Sequence, residues 1–404
     1  MRLMMINAKK IFIFVLLTFS VCYIMSAASF NVDKLQLINS SGFDSATGKY
    51  RGNTYTDIAF SFSGGYKFGA KIGLKMNTND MIDSYQNVND SVYNKVFMLL
   101  NNVELTAKNL FDSHLFLTVW TGSYKYLGFE SDYDGNMFIP DSESDRFEGA
   151  YKIKGSGFST ELRFWEERIR FTLHLYENTN FVTNTTQDAF NFFALDFEFA
   201  LFLKYFRMNF FIGGTNDLII PVEDTILEYG RGKTGFSFWV GDSDYADFKA
   251  TFALPALDYY YCNEVQNGNI NFFDVIYLSA DLHFRIFVTD HYVSFLTRPL
   301  SHNDLDSSYK TDVDVQYRMN VKVGDFPIGG GFIFNFQYAD YNPKYGADHI
   351  SASLAPYMSV DYSGIHYQFC ISYDFASIHY AQEHSNDIEA FSGLKFVISA
   401  STSF

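Results

Sequence analysis

Along most of this chain apolar and polar residues alternate one for one, the period of a strand with one apolar and one polar face. The last stretch, residues 391–404, carries the pattern most plainly. Leu394, Phe396, Ile398, Ala400, Thr402 and Phe404 fall on one face, with Lys395, Val397, Ser399, Ser401 and Ser403 on the other. Residues 168–176 oppose Arg168, Arg170, Thr172, His174 and Tyr176 to Ile169, Phe171, Leu173 and Leu175. The runs 276–286, 311–323 and 365–375 repeat the design, with Asp281, His283, Asp314, Arg318, His366 and Gln368 among their polar positions. Strands of soluble sheets average about five or six residues. Runs of about ten, each with a full apolar face, suit a tilted strand crossing a bilayer.

The connections give an independent indication. Short ones stand near residues 64–65, 109–113, 166–167, 204, 241–245, 289–290, 324–327 and 361–364. Longer polar ones fall near 40–53, 77–94, 127–148, 178–189, 214–233, 255–271, 298–309, 339–348 and 377–388. The two kinds alternate strictly, as do the short periplasmic turns and long outer loops of a membrane barrel. Both termini then lie on the periplasmic side, with a first strand over 30–39 whose alternation is weak (Val32, Leu35, Leu37). The expected fold is all-β, a transmembrane antiparallel β-barrel of about 16–18 strands, the uncertain pair lying over 234–239 and 247–254. No segment is left over for a soluble domain or a plug.

Composition agrees with strands. Phe (45) and Tyr (29) are abundant and Pro (7) is scarce, a mixture that suits a pleated, half-buried surface. A mean hydropathy of −0.07, with no long apolar run past the N-terminus, excludes a bundle of membrane helices. It does not exclude a barrel, whose strands give only half their residues to lipid. The formal net charge of −16 argues against nucleic acid as a partner, because the phosphates would be repelled. It permits loose binding of divalent cations, or cation preference in a pore.

Residues 1–28 have the form of a secretory signal peptide. Lys9 and Lys10 precede an apolar stretch over 11–25, and Ser26-Ala27-Ala28 offers cleavage before Ser29. The barrel would then occupy 29–404. Cys22 leaves with the leader, while Cys262 and Cys370 are expected as two independent thiols rather than a disulfide.

The closing strand resembles that of bacterial outer-membrane β-barrels, in which a C-terminal Phe and alternating apolar positions are read by the assembly machinery. Phe396, Ile398, Ala400 and Phe404 match that signal, and Thr402 departs from it. The architecture as a whole resembles the general porins, in loop order rather than in any sequence motif. In that family the third outer loop folds into the barrel and sets its acids against basic wall residues. Here the third long connection carries Glu130, Asp132, Asp134, Asp141, Glu143, Asp145 and Glu148 against the single base Arg146. The resemblance implies a constriction between those acids and Arg163, Arg168, Arg170 and Arg207, and it implies a homotrimer. Reversing the charge of Arg168 and Arg170 together should then shift ion selectivity towards cations.

Other chemistry is sparse. No GxSxG, HExxH, CxxC or Gly-rich phosphate loop occurs, so no enzyme and no cofactor is expected. His174, His283 and His366 fall on polar faces as plain lining. Glu130, Asp132, Asp134 and Gly135 echo a calcium loop, but Asp141 stands where a bidentate Glu belongs. Tyr124, Tyr126, Phe129, Tyr176, Trp239, Tyr259 to Tyr261, Tyr338 and Tyr341 gather towards strand ends, as in interfacial girdles. The expected function is a porin-like channel for passive diffusion of small hydrophilic solutes or ions, with membrane lipid and the assembly machinery as partners. The alternatives are a surface adhesin using acidic, aromatic loops, and a transporter of hydrophobic solutes.

Overall fold

The structure is a computed structural model that describes residues 28–43, 50–64, 67–78, 96–111, 113–129, 149–178, 193–222, 225–257, 276–298, 309–322, 328–341, 349–374 and 394–402. Eighteen strands follow one another: β1 (Ala28–Phe43), β2 (Tyr50–Gly64), β3 (Phe68–Thr78), β4 (Val96–Leu110), β5 (Leu115–Leu127), β6 (Tyr151–Phe164), β7 (Ile169–Asn178), β8 (Phe193–Phe202), β9 (Phe206–Val222), β10 (Thr225–Asp242), β11 (Ala246–Leu257), β12 (Tyr277–Ile286), β13 (Thr289–Arg298), β14 (Tyr309–Lys322), β15 (Ile328–Tyr341), β16 (His349–Tyr362), β17 (Ile365–Asp374) and β18 (Leu394–Thr402). Each pairs antiparallel with the next, and β1 pairs with β18. The sheet closes on itself, so the wall has no edge strand. Both uncertain strands are present, as β10 and β11, and the count of eighteen is even. No helix among the described residues is long and apolar enough to cross a membrane; the crossing elements are strands.

Burial is inverted relative to a soluble protein. On β8, Phe193 and Leu195 are 62% and 51% exposed, while Ala194 and Asp196, alternating with them, are 1% and 0% exposed. The same alternation buries His174, Ser279, Asp281, Ser294, Asp314 and Gln316 and exposes Leu173, Leu175, Leu282, Val293 and Phe336. An apolar outer surface on strands of this length matches a bilayer's hydrocarbon layer, and the polar residues face the interior. The closing strand keeps its expected parity. Val397 packs inside with Ile333, Ala355 and Cys370, and Ile398 faces out at 54% exposure. The Cys370 thiol is free and buried in this second cluster. Residues 1–27, Cys262 and Phe404 lie outside the described residues.

One long connection differs from the sequence reading. Residues 214–233 are paired strand for most of their length, with Leu218 opposite Tyr229 and Val222 opposite Thr225. β8 reaches only as far as Thr215 on β9, and β11 only as far as Gly232 on β10. Beyond those points β9 and β10 form a two-stranded finger standing past the wall. The apolar Leu218-Ile219-Ile220 and Ile226-Leu227 segments suit continued pairing, and Asn216, Asp217 and Glu223 gave the stretch its loop-like composition.

The upper wall bends along a row of small and amide residues. Gly73, Asn102, Gly122, Gly155 and Asn178 are successive register partners across β3, β4, β5, β6 and β7. Gly155 has φ +145° and lies so close to β7 that a Cβ would stand 1.7 Å from the Glu177 carbonyl oxygen. Only glycine accepts both the angle and the approach. Bulges at Gly73/Leu74 and Ser123/Lys125 flank the row, and bulges bend and re-aim strands. Beyond it, the long-loop ends of β5 and β6 lean into the barrel.

Candidate functional site in the barrel interior

A cylinder of eighteen strands is on the order of 35 Å across, wider than side chains can fill from the wall alone. Here the chain itself enters. Leu127, Ala150, Tyr151 and Ile153 are buried in one apolar cluster with Trp120, Tyr176, Phe211, Ala253, Tyr277 and Leu296. That cluster joins β5 through β9 to β11, β12 and β13. The Phe129 N–H donates to Ser237 Oγ on β10 at 3.1 Å, and a Cβ on Gly128 would lie 3.2 Å from that same oxygen. Strands β5 and β10 are five apart around the wall, so the contact crosses the interior. The Ala150 N–H donates to the Leu127 carbonyl at 3.0 Å and ties the two ends of the crossing together. Both ends of the third long connection therefore sit inside the barrel. Its acids, Glu130, Asp132, Asp134, Asp141, Glu143, Asp145 and Glu148, lie outside the described residues, and so does the calcium-loop reading built on them.

Beneath the apolar cluster lies a chain of ionisable groups. Ser159, His174, Asp196, Gly213 and Lys233 are successive register partners from β6 to β10. Lys233 Nζ lies 2.9 Å from Asp196 Oδ2 and donates to the Tyr176 hydroxyl at 2.8 Å. That hydroxyl donates in turn to Asp196 Oδ2 at 2.8 Å. The Lys233 ammonium also stands 3.7 Å from the centre of the Tyr151 ring, a favourable cation–π position. Gly213 opens the space between the two charges: a Cβ there would meet Asp196 Oδ1 at 2.0 Å. Alongside, Lys125 pairs with Glu198, which also accepts from Asn209 Nδ2 at 2.5 Å. These charges are matched and bonded, as buried charges must be.

Ser159, His174 and Glu198 have the composition of a nucleophile–base–acid row. Ser159 Oγ is 2.7 Å from His174 Nδ1, and His174 Nε2 is 3.5 Å from Glu198 Oε2. The row is sealed, however. The Trp120 indole N–H donates to Ser159 Oγ at 3.0 Å, Tyr124 stacks on Trp120 at 4.8 Å, and Ser159 and His174 are 2% and 0% exposed. No substrate carbonyl could reach the serine in this arrangement. Ser159 is hydrogen-bonded from both sides within this packing, and His174 Nε2 is left buried without a hydrogen-bond partner.

The arginines expected at the constriction occupy the opposite end. Arg163 stands twelve residues along β6 from Tyr151, about 40 Å of extended strand. It binds Glu161, and Glu167 at 2.8 Å, and lies over the Phe116 ring. Arg168 pairs with Glu166 at 3.2 Å and Arg170 with Glu167 at 4.0 Å, all around the short β6–β7 turn. Arg207 covers Trp239 at 4.6 Å. With Arg285, held by Asp290 at 2.6 Å, they ring the short-turn mouth. The structure brings Arg163, Arg168 and Arg170 together with the turn glutamates Glu166 and Glu167, away from Phe129 and Gly149, and sets Arg207 against Trp239. The girdle reading also needs correction. Tyr124 and Tyr176 belong to the interior cluster, and Trp239 faces inward, donating to Asp247 at 3.1 Å. Tyr176 shares the parity of His174, and that parity outweighs its place near a strand end.

Between the leaning ends of β5 and β6 and the wall of β1 to β4 a cavity of about 400 Å³ remains. Lys34, Lys71, Lys75, Lys125 and Lys152 line it, with Asp57 the one lining carboxylate among the described residues. Alternation alone does not reveal this set. A bulge between Val32 and Lys34 turns Lys34 inward, and the Ser123/Lys125 bulge does the same for Lys125. The signal was present in β1, where the apolar phase jumps from Val32 to Leu35 and Leu37.

No family model matches this chain, and no curated protein does. Solved structures match over nearly its whole length. Acinetobacter baumannii OccAB3 is similar with 12% identity, covering 94% of this chain and 99% of that one, at a TM-score of 0.50. Salmonella typhi OmpF shares 9% identity over 94% and 98% of the two chains, TM-score 0.47. Escherichia coli Wzi, described as a carbohydrate-binding β-barrel involved in capsule assembly, shares 10% over 94% and 85%, TM-score 0.48. This chain has the fold of a porin-like bacterial outer-membrane β-barrel. At such identities the likeness establishes architecture alone, and the interior has to be read from its own residues.

Proposed function

We propose that this porin-like barrel is a passive diffusion channel for small hydrophilic solutes across the bacterial outer membrane. The observation that carries the reading is the combination of a closed eighteen-strand wall with a polar, charged cavity left beside the inward-leaning ends of β5 and β6. A barrel this wide retains an aqueous passage wherever chain and side chains do not fill it. Here the interior is filled on the β5–β13 side, so the passage is eccentric and runs along β1 to β4 and their lysines. The loop acids, carried on a segment whose ends sit inside, would narrow it from above, and the arginine ring would set its lower mouth. Loosely held divalent cations suit the loop acids, and no other cofactor is invoked. Phe396, Ile398, Ala400 and Phe404 would present the assembly signal, and a homotrimer remains the expectation carried over from general porins.

Swelling of proteoliposomes in sugar solutions tests this reading. Arabinose should enter quickly, sucrose slowly and raffinose hardly at all, because the passage is narrowed. Swelling no faster than in protein-free vesicles, from protein shown to be inserted, would remove the channel.

A further inference from the structure

We infer that the inward-leaning ends of β5 and β6 are a hinged arm, held against the far wall by a proton-sensitive latch at His174. The arm's role in conduction rests on the channel reading; its mechanics do not. The arm consists of residues 123–129 and 149–154, and its hinge line is a pair of glycines. Gly122 and Gly155 are register partners with φ +94° and +145°, a region other residues rarely enter. A Cβ on Gly122 would stand 2.1 Å from the Asn101 carbonyl oxygen, so this position, like Gly155, takes no side chain. Wall pairing stops at the same line. Among the described residues β4 meets β5 only as far as Gly122, and β7 meets β6 only as far as Gly155. Beyond it β5 and β6 pair with each other, from Lys125 opposite Ile153 to Leu127 opposite Tyr151.

Polar contacts then fasten this ribbon across the interior. The Phe129 N–H donates to Ser237 Oγ. The Tyr151 hydroxyl accepts from Asn178 Nδ2 at 3.0 Å, and its ring faces the Lys233 ammonium. Lys125 forms an ion pair with Glu198 on β8. His174 stands beside that pair. Its Nε2 is 3.5 Å from Glu198 Oε2, the oxygen that Lys125 also uses. This nitrogen is buried and has no hydrogen-bond partner, a state that calls for a reason in a folded protein. The groups facing the ring are Tyr124 and Lys125 from β5, Ser159 from β6, and Asp196 and Glu198 from β8. Lys233 on β10 pairs with Asp196. Glu161, further along β6, is held by Arg163, and Glu104, the register partner of Trp120, accepts from Asn102.

With His174 neutral, Lys125 and Lys233 match Glu198 and Asp196, two charges against two. Histidine takes up a proton in mildly acidic solution. A proton from water on Nε2 would set three cations against two carboxylates, and a buried charge without its counter-ion is costly. The new N–H faces Glu198 Oε2 and competes with Lys125 for it. His174 lies in a wall strand at 0% exposure, whereas the Lys125 side chain is 31% exposed and borders the cavity. Lys125 is therefore the cation that leaves. It carries with it the bulged segment of β5 and the Tyr124 ring, which lies on Trp120 at 4.8 Å. The arm then turns about the Gly122–Gly155 line, away from β8, and the passage widens. Such a two-state element, biased by one proton, is a gate built from wall strands.

Trp120 reports the arm, because it is 3% exposed beneath Tyr124. Trp165→Phe with Trp239→Phe leaves it as the one tryptophan. Emission of this full-length protein, refolded in neutral detergent, is recorded at about pH 7.5 and about pH 5. The expected result at the lower pH is a red shift, with iodide quenching raised about twofold or more. Unitary conductance in planar bilayers should rise about 1.5-fold or more over the same change. His174→Gln keeps a hydrogen-bonding side chain that does not titrate, and should abolish both responses. Glu198→Gln removes the counter-ion of Lys125 and should give the low-pH emission already at neutral pH. A heat-modifiable gel shift establishes that each variant is folded. Unchanged Trp120 emission between the two pH values, or an equal change in His174→Gln, overturns the proposal. Micelles need no conduction, so a His174-dependent emission change in protein that does not conduct keeps the latch and removes the channel. Conduction that ignores pH, with emission unchanged, removes the latch and keeps the channel.

Discussion

Replacing Asp196 by alanine should destabilise the folded barrel by about 3–5 kcal/mol, among the largest losses any single interior substitution would cause. Asp196 and Lys233 are 0% and 1% exposed at their side chains. Removing the carboxylate leaves an ammonium with the Tyr176 hydroxyl and the Tyr151 ring, neither of which carries a compensating charge. Urea unfolding of the vesicle-inserted protein would read the loss as a lower midpoint at unchanged slope. The double variant Asp196→Ala, Lys233→Met should recover most of it, because a matched buried pair is worth little more than good apolar packing. A loss below about 1 kcal/mol for the single variant would mean that water reaches the pair, as it does at exposed ion pairs. The β5–β10 side of the barrel would then be open rather than filled.

The second large effect concerns residues 129–149. Replacing residues 129–149 by a short Gly-Ser linker should raise single-channel conductance roughly twofold or more, because conduction follows the free cross-section of the narrowest passage. The replacement removes the acidic side chains of residues 130–148 and any part the intervening chain plays inside. It leaves the wall pairing of β5 with β6 from Leu127 to Leu115 intact. Reversal potential in a salt gradient would be recorded in the same experiment. With the loop acids gone and the cavity lysines kept, selectivity should move towards anions. Unchanged conductance and selectivity would place the segment clear of the passage.

How much of this was legible in the sequence depends on the kind of information. Alternation gave the strands because side-chain period and lipid exposure act on every residue of a strand. Alternating connection lengths yielded the count, including β10 and β11, whose own patterns are weak. What alternation could not carry is anything that changes phase. The bulges before Lys34 and Lys125 each reverse the parity of the residues beyond them, and Lys152 has the parity opposite to buried Tyr151 and Ile153, so three of the five cavity lysines were invisible to it. Nor does period two reveal which strands lie opposite each other across an interior. The Lys233–Asp196 pair and the Phe129–Ser237 crossing join residues 37 and 108 apart. The arginines were placed beside the loop because they follow it in the chain, yet a strand of fourteen residues carries them to the far mouth. The row from Gly73 to Asn178 was readable only as scattered glycines and asparagines until register lined them up.

Conduction is the most direct test of a channel. Purified, refolded protein in planar bilayers, under a salt gradient, should open in uniform steps with an ohmic current. The sign of its reversal potential should turn towards cations when Lys71 and Lys75 are both replaced by glutamine. Silence from protein shown to be folded and inserted would contradict the central claim and leave the outer loops and the β9–β10 finger as the working surface.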